Sequence, residues 1–402
     1  MSGVTFGMVL EARERLRGIV RRTELVPSRT LSGDGREVFL KTESLQHTGS
    51  FKLRGAYNRI SRLTEDERRA GVVASSAGNH AQGVALAAKM FGVKATIVMP
   101  EGASLAKIAA TRELGAEVIL DGASFDDAFQ RALKVREETG ATLVHAFQDP
   151  LVVAGQGTVG LEILEDLKDV DSVIVPIGGG GLIGGIALAI KELRPQARVI
   201  GVEAEAADAM VQSLKKGGPV MIESASTIAD GIAIKYPGEL TYGLCRQYVD
   251  EVVTVDEDEI AGAVLVLLER CKVVAEGAGA ASVAALLSGK GGAHGKVACV
   301  VSGGNIDVTT LQRIINRGLT KEGRLTHIDT VVVDRPGHLQ RLLAVVAGAG
   351  ANVMSVRHDR VDESAGAGMV KIGLTLETNN RAHYEKVLLA VKEAGHRIIG
   401  HR

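Results

Sequence analysis

Short runs of aliphatic and β-branched residues recur along the chain: VFLKT at 38–42, GVVAS at 71–75, ATIVMP at 95–100, AEVIL at 116–120, SVIVPI at 172–177, RVIGVE at 198–203 and KVACVV at 296–301. They are mostly apolar without alternation, the pattern of strands buried on both faces in a parallel sheet covered by helices. The stretches between them carry a helical period. HAQGVALAAKMFG places Ala81, Val84, Ala85 and Ala88 on one face, and DEDEIAGAVLVLLERC opens with acids, as the helix dipole favours. The alternation predicts an open, doubly wound α/β architecture.

Near Gly318 the pattern changes. GLTKEGRLTHID is polar and glycine-bearing and reads as a linker. Beyond it come HIDTVVVD, a helix over 338–349, ANVMSVRHDRV, MVKIGLTLE, a helix over 380–393 and HRIIG. That order is βαββαβ, the ferredoxin-like plan of a small α+β domain. The expected division is residues 1–320 for the α/β part and residues 328–402 for the small domain.

At 402 residues the chain is too long for one ordinary domain. Its 47 basic and 48 acidic residues nearly cancel, which gives no pull toward nucleic acid or an anionic membrane. With aromatics at 3% and no Trp, stacking platforms for single-stranded nucleic acid are not expected. Cys245, Cys271 and Cys299 are odd in number and far apart, which excludes a disulfide framework or zinc ribbon and fits a reducing cytoplasm. The N-terminal segment has Glu11 and Glu14 among its arginines and no apolar secretory core. The uncharged stretch 172–190 is not read as a membrane span, because Pro176 and four consecutive glycines would break the helix.

Four segments at strand ends carry candidate chemistry. In Ser50-Phe51-Lys52-Leu53-Arg54-Gly55-Ala56 the lysine opens a helix, where desolvation would lower its pKa and suit it to imine formation; a solvated lysine is the competing reading. In Ser75-Ser76-Ala77-Gly78-Asn79-His80 the free N–H groups of a helix start would hold a carboxylate, or a Ser or Asn simply caps the helix. His80 reads as a supporting or capping residue. Gly178, Gly179, Gly180, Gly181 and Leu182 follow SVIVPI and would form an anion nest for phosphate. Gly179, Gly181 and Gly184 also spell G-x-G-x-x-G, and Glu203 stands about where a ribose-binding acid belongs, so an NAD-linked oxidoreductase is a rival. Ser302-Gly303-Gly304-Asn305 closes the set after KVACVV. A dinucleotide would use the third segment and leave the others idle, whereas pyridoxal phosphate needs a phosphate nest, an activatable lysine, a carboxylate-binding turn and a hydroxyl donor together.

In order and spacing, SFKLRGA, SSAGNHAQG, GGGGL and SGGN resemble the signatures of the tryptophan-synthase-like, fold type II pyridoxal phosphate enzymes, within them the threonine dehydratase (threonine ammonia-lyase) branch. The resemblance covers nearly the whole chain. It implies two open twisted-sheet subdomains, with the tail, through its Asp334-Arg335-Pro336-Gly337 turn, similar to an ACT domain. It further implies that Lys52 holds the cofactor as an internal Schiff base beside Phe51, with Gly178, Gly179, Gly180, Gly181 and Leu182 on the phosphate, Asn79 on the ring hydroxyl and Ser302 on the pyridine nitrogen. Ser76, Ala77, Gly78, Asn79 and His80 would receive the substrate. The implied reaction is β-elimination of L-threonine to 2-oxobutanoate and ammonia, with L-serine a second substrate.

Serine racemases of the same fold carry a serine where Ala77 stands, so racemisation is disfavoured. Some relatives hold a divalent ion through an acid like Glu203 and a second carboxylate, but Ala209 stands where that second acid is expected, and no metal is assigned. A cytoplasmic homo-oligomer, dimer or tetramer, is expected, with isoleucine or valine as effectors at the tail. A non-catalytic amino-acid sensor is the remaining alternative.

Overall fold

The computed structural model describes residues 3–362 and 365–401. The chain divides into two compact units between Asp307 and Val308. The first contains strands β1 (Leu25–Pro27), β2 (Arg36–Thr42), β3 (Val72–Ser75), β4 (Ala95–Met99), β5 (Glu117–Leu120), β6 (Thr142–Leu143), β7 (Ser172–Pro176), β8 (Arg198–Ala204), β9 (Glu251–Val255) and β10 (Gly295–Val301). They form two sheets, ordered β1-β2-β10-β7-β8-β9 and β5-β4-β3-β6. All neighbours run parallel except β1, which is antiparallel to β2 at an edge. Each apolar run predicted as a strand is one, and β3, β4 and β7 are buried along their whole length, as parallel strands under helices should be. AEVIL departs from that reading: β5 is the edge of the smaller sheet and stays partly exposed.

One helix ties the two sheets together. Pro150–Asp166 packs against helix Lys52–Ile60 on one side and helix Gly181–Leu193 on the other. The approach is close because of glycine: a Cβ on Gly155 would come within 2.7 Å of the Arg54 carbonyl, and one on Gly157 within 2.9 Å of the Gly185 carbonyl. Separate apolar cores fill the space around each sheet, Val173, Ile183 and Ala298 in the larger and Ala74, Val84 and Ile97 in the smaller.

The second unit begins with helix Val308–Lys321 and holds β11 (Leu325–Val333), β12 (Asn352–Asp359), β13 (Met369–Glu377) and β14 (Arg397–His401) in one antiparallel sheet, ordered β12-β13-β11-β14. Burial alternates strictly along β11, as expected of a sheet covered on one face. Helices His338–Gly348 and Arg381–Glu393 supply Leu342, Tyr384 and Val387 to the core beneath. The βαββαβ order is thus present. The polar stretch read as a linker is not one: Gly318 is buried inside the helix, and Leu325 already begins a strand. Polarity misled because the amphipathic helix needs few apolar positions. No helix among the described residues is long and apolar enough to cross a membrane.

Candidate active site

The carboxyl ends of β3, β4, β7 and β10 converge on a cavity of about 470 Å³ between the two sheets of the first unit. Its lining includes the residues expected to meet cofactor and substrate: Phe51, Lys52, Ser76, Ala77, Gly78, Asn79, His80, Gly178, Gly179, Gly180, Gly181, Leu182 and Ser302. The pairing of distant segments explains the convergence. Phe51 N donates to Ser302 O at 3.2 Å and Gly304 N to Gly49 O at 2.9 Å, so the turn before Lys52 is strapped to the end of β10.

Lys52 begins its helix with Nζ 3.3 Å from the Ala146 carbonyl and 5.1 Å from the Phe51 ring centre. Burial pushes its amine down to about 8, with Glu276 acting in the opposite direction. Two residues on, Arg54 anchors the helix from behind. It is fully buried, donates to both oxygens of Glu43 at 2.8 Å and reaches Glu162 at 2.6 Å. Burial works against its charge, but those two carboxylates hold it protonated more firmly than a free arginine.

Two helices enter the cavity with open N-termini. Helix Gly181–Leu193 follows Gly180, which takes φ 83°, and helix Asn79–Phe91 follows Gly78; neither glycine offers a side-chain cap. Some other helices of the chain close this end with a side chain, Thr64, Ser124, Asp149 or Asp256 among them. First-turn amides are therefore left for an anion at both places. Glycine is also needed for the loop's close packing, since a Cβ on Gly179 would run into the Phe147 ring and one on Gly180 would meet Thr241 at 2.9 Å. A phosphate cradle, a desolvated amine, a hydroxyl and an amide around one cavity fit pyridoxal phosphate.

Asn79 is held on both sides. Its Nδ2 donates to Glu276 Oε1 at 2.6 Å, and its Oδ1 accepts from Asn305 Nδ2 at 2.7 Å. Asn305 also donates to Thr48 O at 2.7 Å, which fixes the orientation of both amides. Glu276 is raised to about 8, first by burial and then by Asp230. Ser302 is buried, and its hydroxyl donates to Ala278 O at a long 3.5 Å. His80 Nε2 lies 2.8 Å from the Val144 carbonyl and is the protonated nitrogen; burial and the nearby Lys52 hold the ring neutral, with a pKa near 3.

Sequence reasoning missed Glu276, Asn305, Phe147, Lys107 and Asp230, all of which line the cavity. Asn305 stood within SGGN and was legible there, whereas Lys107 meets Asp230 across 2.6 Å only through the fold. The dinucleotide alternative fails at Glu203. Its oxygens accept from Met210 N and Val211 N, each at 2.8 Å, and the residue is 1% exposed, so it closes a helix start and faces no ribose. Among the described residues no cluster of three or more His, Cys, Asp or Glu stands together as a metal site.

Comparison with known proteins agrees with this geometry. Residues 16–303 match the family model "Pyridoxal-phosphate dependent enzyme", and residues 320–395 match the ACT domain. The chain is 54% identical over 400 residues to the L-threonine ammonia-lyase of Thermotoga maritima, covering 99% of this chain and 100% of that protein. Among solved structures, threonine deaminase isoform 2 of Solanum lycopersicum is similar at 36% identity and a TM-score of 0.74, covering 78% of this chain and 90% of the other. Maize serine racemase is similar at 38% identity and a TM-score of 0.73, covering 79% and 98%. With the lysine and the glycine loop lining one cavity inside the stretch that the family model matches, the chain belongs to the pyridoxal-phosphate dependent enzymes of fold type II and carries an ACT domain later in its sequence.

Proposed function

We propose that the protein is a threonine ammonia-lyase, releasing 2-oxobutanoate and ammonia from L-threonine and pyruvate and ammonia from L-serine. The observation that carries this reading is Lys52: a lysine kept near neutrality by burial, opposite an uncapped glycine loop, with Ala77 on the wall where a racemase has a hydroxyl. The similarity to ammonia-lyases over the full chain length supports it.

Bound, the cofactor supplies an electron sink for negative charge at the substrate's α-carbon. Lys52 would hold it, with Phe51 alongside, the amides of Gly178, Gly179, Gly180, Gly181 and Leu182 on its phosphate, Asn79 on its ring hydroxyl and Ser302 on its ring nitrogen. The open helix start at Ser76, Ala77, Gly78, Asn79 and His80 would bind the substrate carboxylate. Lys52 Nζ, freed when the substrate amine takes its place on the cofactor, would accept the α-proton, a task suited to an amine whose pKa lies close to neutral. Ser302 would be a neutral partner for the ring nitrogen, unable to hold it protonated as a carboxylate would, which suits prompt loss of the β-hydroxyl. Glu276 and Asn305 hold Asn79 in orientation.

The catalytic part would be the first unit, ending at Asp307, and the regulatory part the second unit, from Val308 onward. A cytoplasmic homo-oligomer, dimer or tetramer, serving isoleucine biosynthesis and governed by isoleucine or valine at the ACT domain, completes the reading. The test is oxo-acid release from L-threonine by wild type and Lys52→Ala, with borohydride reduction and peptide mapping. Activity in wild type alone, with the reduced label on Lys52, is the expected result. A label on another lysine, or no oxo acid from wild type, overturns it.

A further inference from the structure

The chain has 7 Phe, 5 Tyr and no Trp, yet three of those phenylalanines and one histidine form a continuous row beside the cavity. Phe125 and Phe129 stack at 6.2 Å with planes 15° apart; Phe129 meets His145 edge-on at 5.6 Å, and His145 meets Phe147 edge-on at 4.7 Å. The inner end is fixed, because Phe147 fills the space beneath Gly179 and Gly181. The middle is fixed too. His145 Nδ1 accepts from Phe147 N at 3.2 Å and Gln148 N at 3.0 Å, and burial together with Lys52 holds the ring neutral, with a pKa near 4.

The outer end is Phe125. It is the first residue of helix Phe125–Thr139, whose start is locked by the reciprocal Ser124–Asp127 capping box. It lines the cavity, yet remains 44% exposed. Single exposed apolar residues are common. This one is different in being a large ring braced by a stacked row at a cavity whose lining also holds the polar side chains of Ser76, Asn79 and Glu276. Pro100 and Ala103 continue the apolar side. Two ion pairs, Lys107–Asp230 at 2.6 Å and Asp126–Lys235 at 3.9 Å, keep this side of the rim against the loop that follows Asp230.

Resting on the reaction proposed above, we infer that Phe125 is a specificity-determining residue: its ring contacts the β-methyl group that distinguishes threonine from serine. The polar side chains bind what the two substrates share, and the aromatic row binds what they do not. A hydrophobic contact with one methyl group is worth about four- to tenfold in selectivity.

The test compares kcat/KM for L-threonine and L-serine in the holoenzyme as wild type, Phe125→Ala and Phe125→Leu, with the visible cofactor band confirming equal loading. The threonine-to-serine ratio should fall about four- to tenfold in Phe125→Ala and be largely retained in Phe125→Leu, with the serine value little changed. An equal loss on both substrates, or an unchanged ratio, overturns the assignment. Wild type that releases oxo acid from neither substrate would instead overturn the underlying reaction, and the premise of this contact with it.

Discussion

Asn79 and Glu276 stand 197 positions apart, yet their side chains meet at 2.6 Å across the cavity between the two sheets. The bond requires Gly303: a Cβ there would come within 3.1 Å of Asn79 Nδ2 and collide with Glu276. The SGGN turn therefore supplies room as well as a hydroxyl. A buried carboxyl accepting from the Asn79 amide gives that amide one orientation, and its own protonation state becomes part of the cavity.

Glu276 yields a pH prediction for the cofactor-free protein. Its folded pKa of about 8 lies above the ordinary 4.5, because burial and Asp230 penalise the charge. The carboxyl's contribution to stability is complete at low pH and is lost as pH rises from 4.5 through about 8. Glu276→Gln stays neutral and keeps the acceptor for Asn79. Its Tm relative to wild type should climb as pH is raised across that window. Glu203 is also pushed to about 8, but it remains in both proteins and cancels in the difference. Parallel Tm curves for the two proteins would refute the assignment.

Arg54 is the structural counterpart. Replacing it with Met leaves Glu43, itself fully buried, and Glu162 without their shared cation. Breaking such a pair costs about 3–5 kcal/mol. Urea denaturation of Arg54→Met should show a loss of that order, with Arg54→Lys intermediate because an ammonium cannot reproduce the fork to two carboxylates. A loss below about 1 kcal/mol would mean the cluster behaves like a surface pair.

The chemistry-bearing segments were legible in the sequence because each is a local event, a strand ending in glycine or hydroxyl residues before a helix. Lys52, the turn from Ser75 and the loop from Gly178 needed only their neighbours to be read. Glu276, Lys107 and Asp230 were not legible: each is an ordinary charged residue until the fold buries it beside the others. The fold shows the same limit. The long apolar strands declared themselves, while β1 and β6, of three and two residues, carry too little pattern to stand out. Periodicity also gave one doubly wound array; the separation into two sheets came from the resemblance, since strands of both sheets obey the same apolar pattern.

Ala77 lines the cavity on the turn that would bind the substrate carboxylate, and it has no proton to offer. Wild type should therefore eliminate without appreciable racemisation. Chiral analysis of L-serine recovered early in turnover should find almost no D-serine in wild type and a measurable amount in Ala77→Ser. D-serine accumulating in wild type at a rate comparable to pyruvate release would show that another group donates from that face.

The final prediction concerns the second unit. Its sheet is covered by helices on one face and ends in two edge strands, β12 and β14, which leaves edges free to pair with another copy. At the turn out of β11, Gly337 takes φ 88°, and helix His338–Gly348 starts without a side-chain cap, so its first amides can receive an amino acid's carboxylate. Any effector must bind two conformations with different affinity and shift activity by that difference. Because helix Val308–Lys321 belongs to the second unit, the informative truncation ends at Asp307 and not near Gly318. Isoleucine and valine are titrated against the full chain and the truncated enzyme, with threonine turnover as readout. The full chain should respond, isoleucine lowering activity and valine opposing it, while the truncated enzyme keeps its cofactor band and loses the response. Identical kinetics of the full chain with and without each amino acid would leave the domain a purely structural role in holding subunits together.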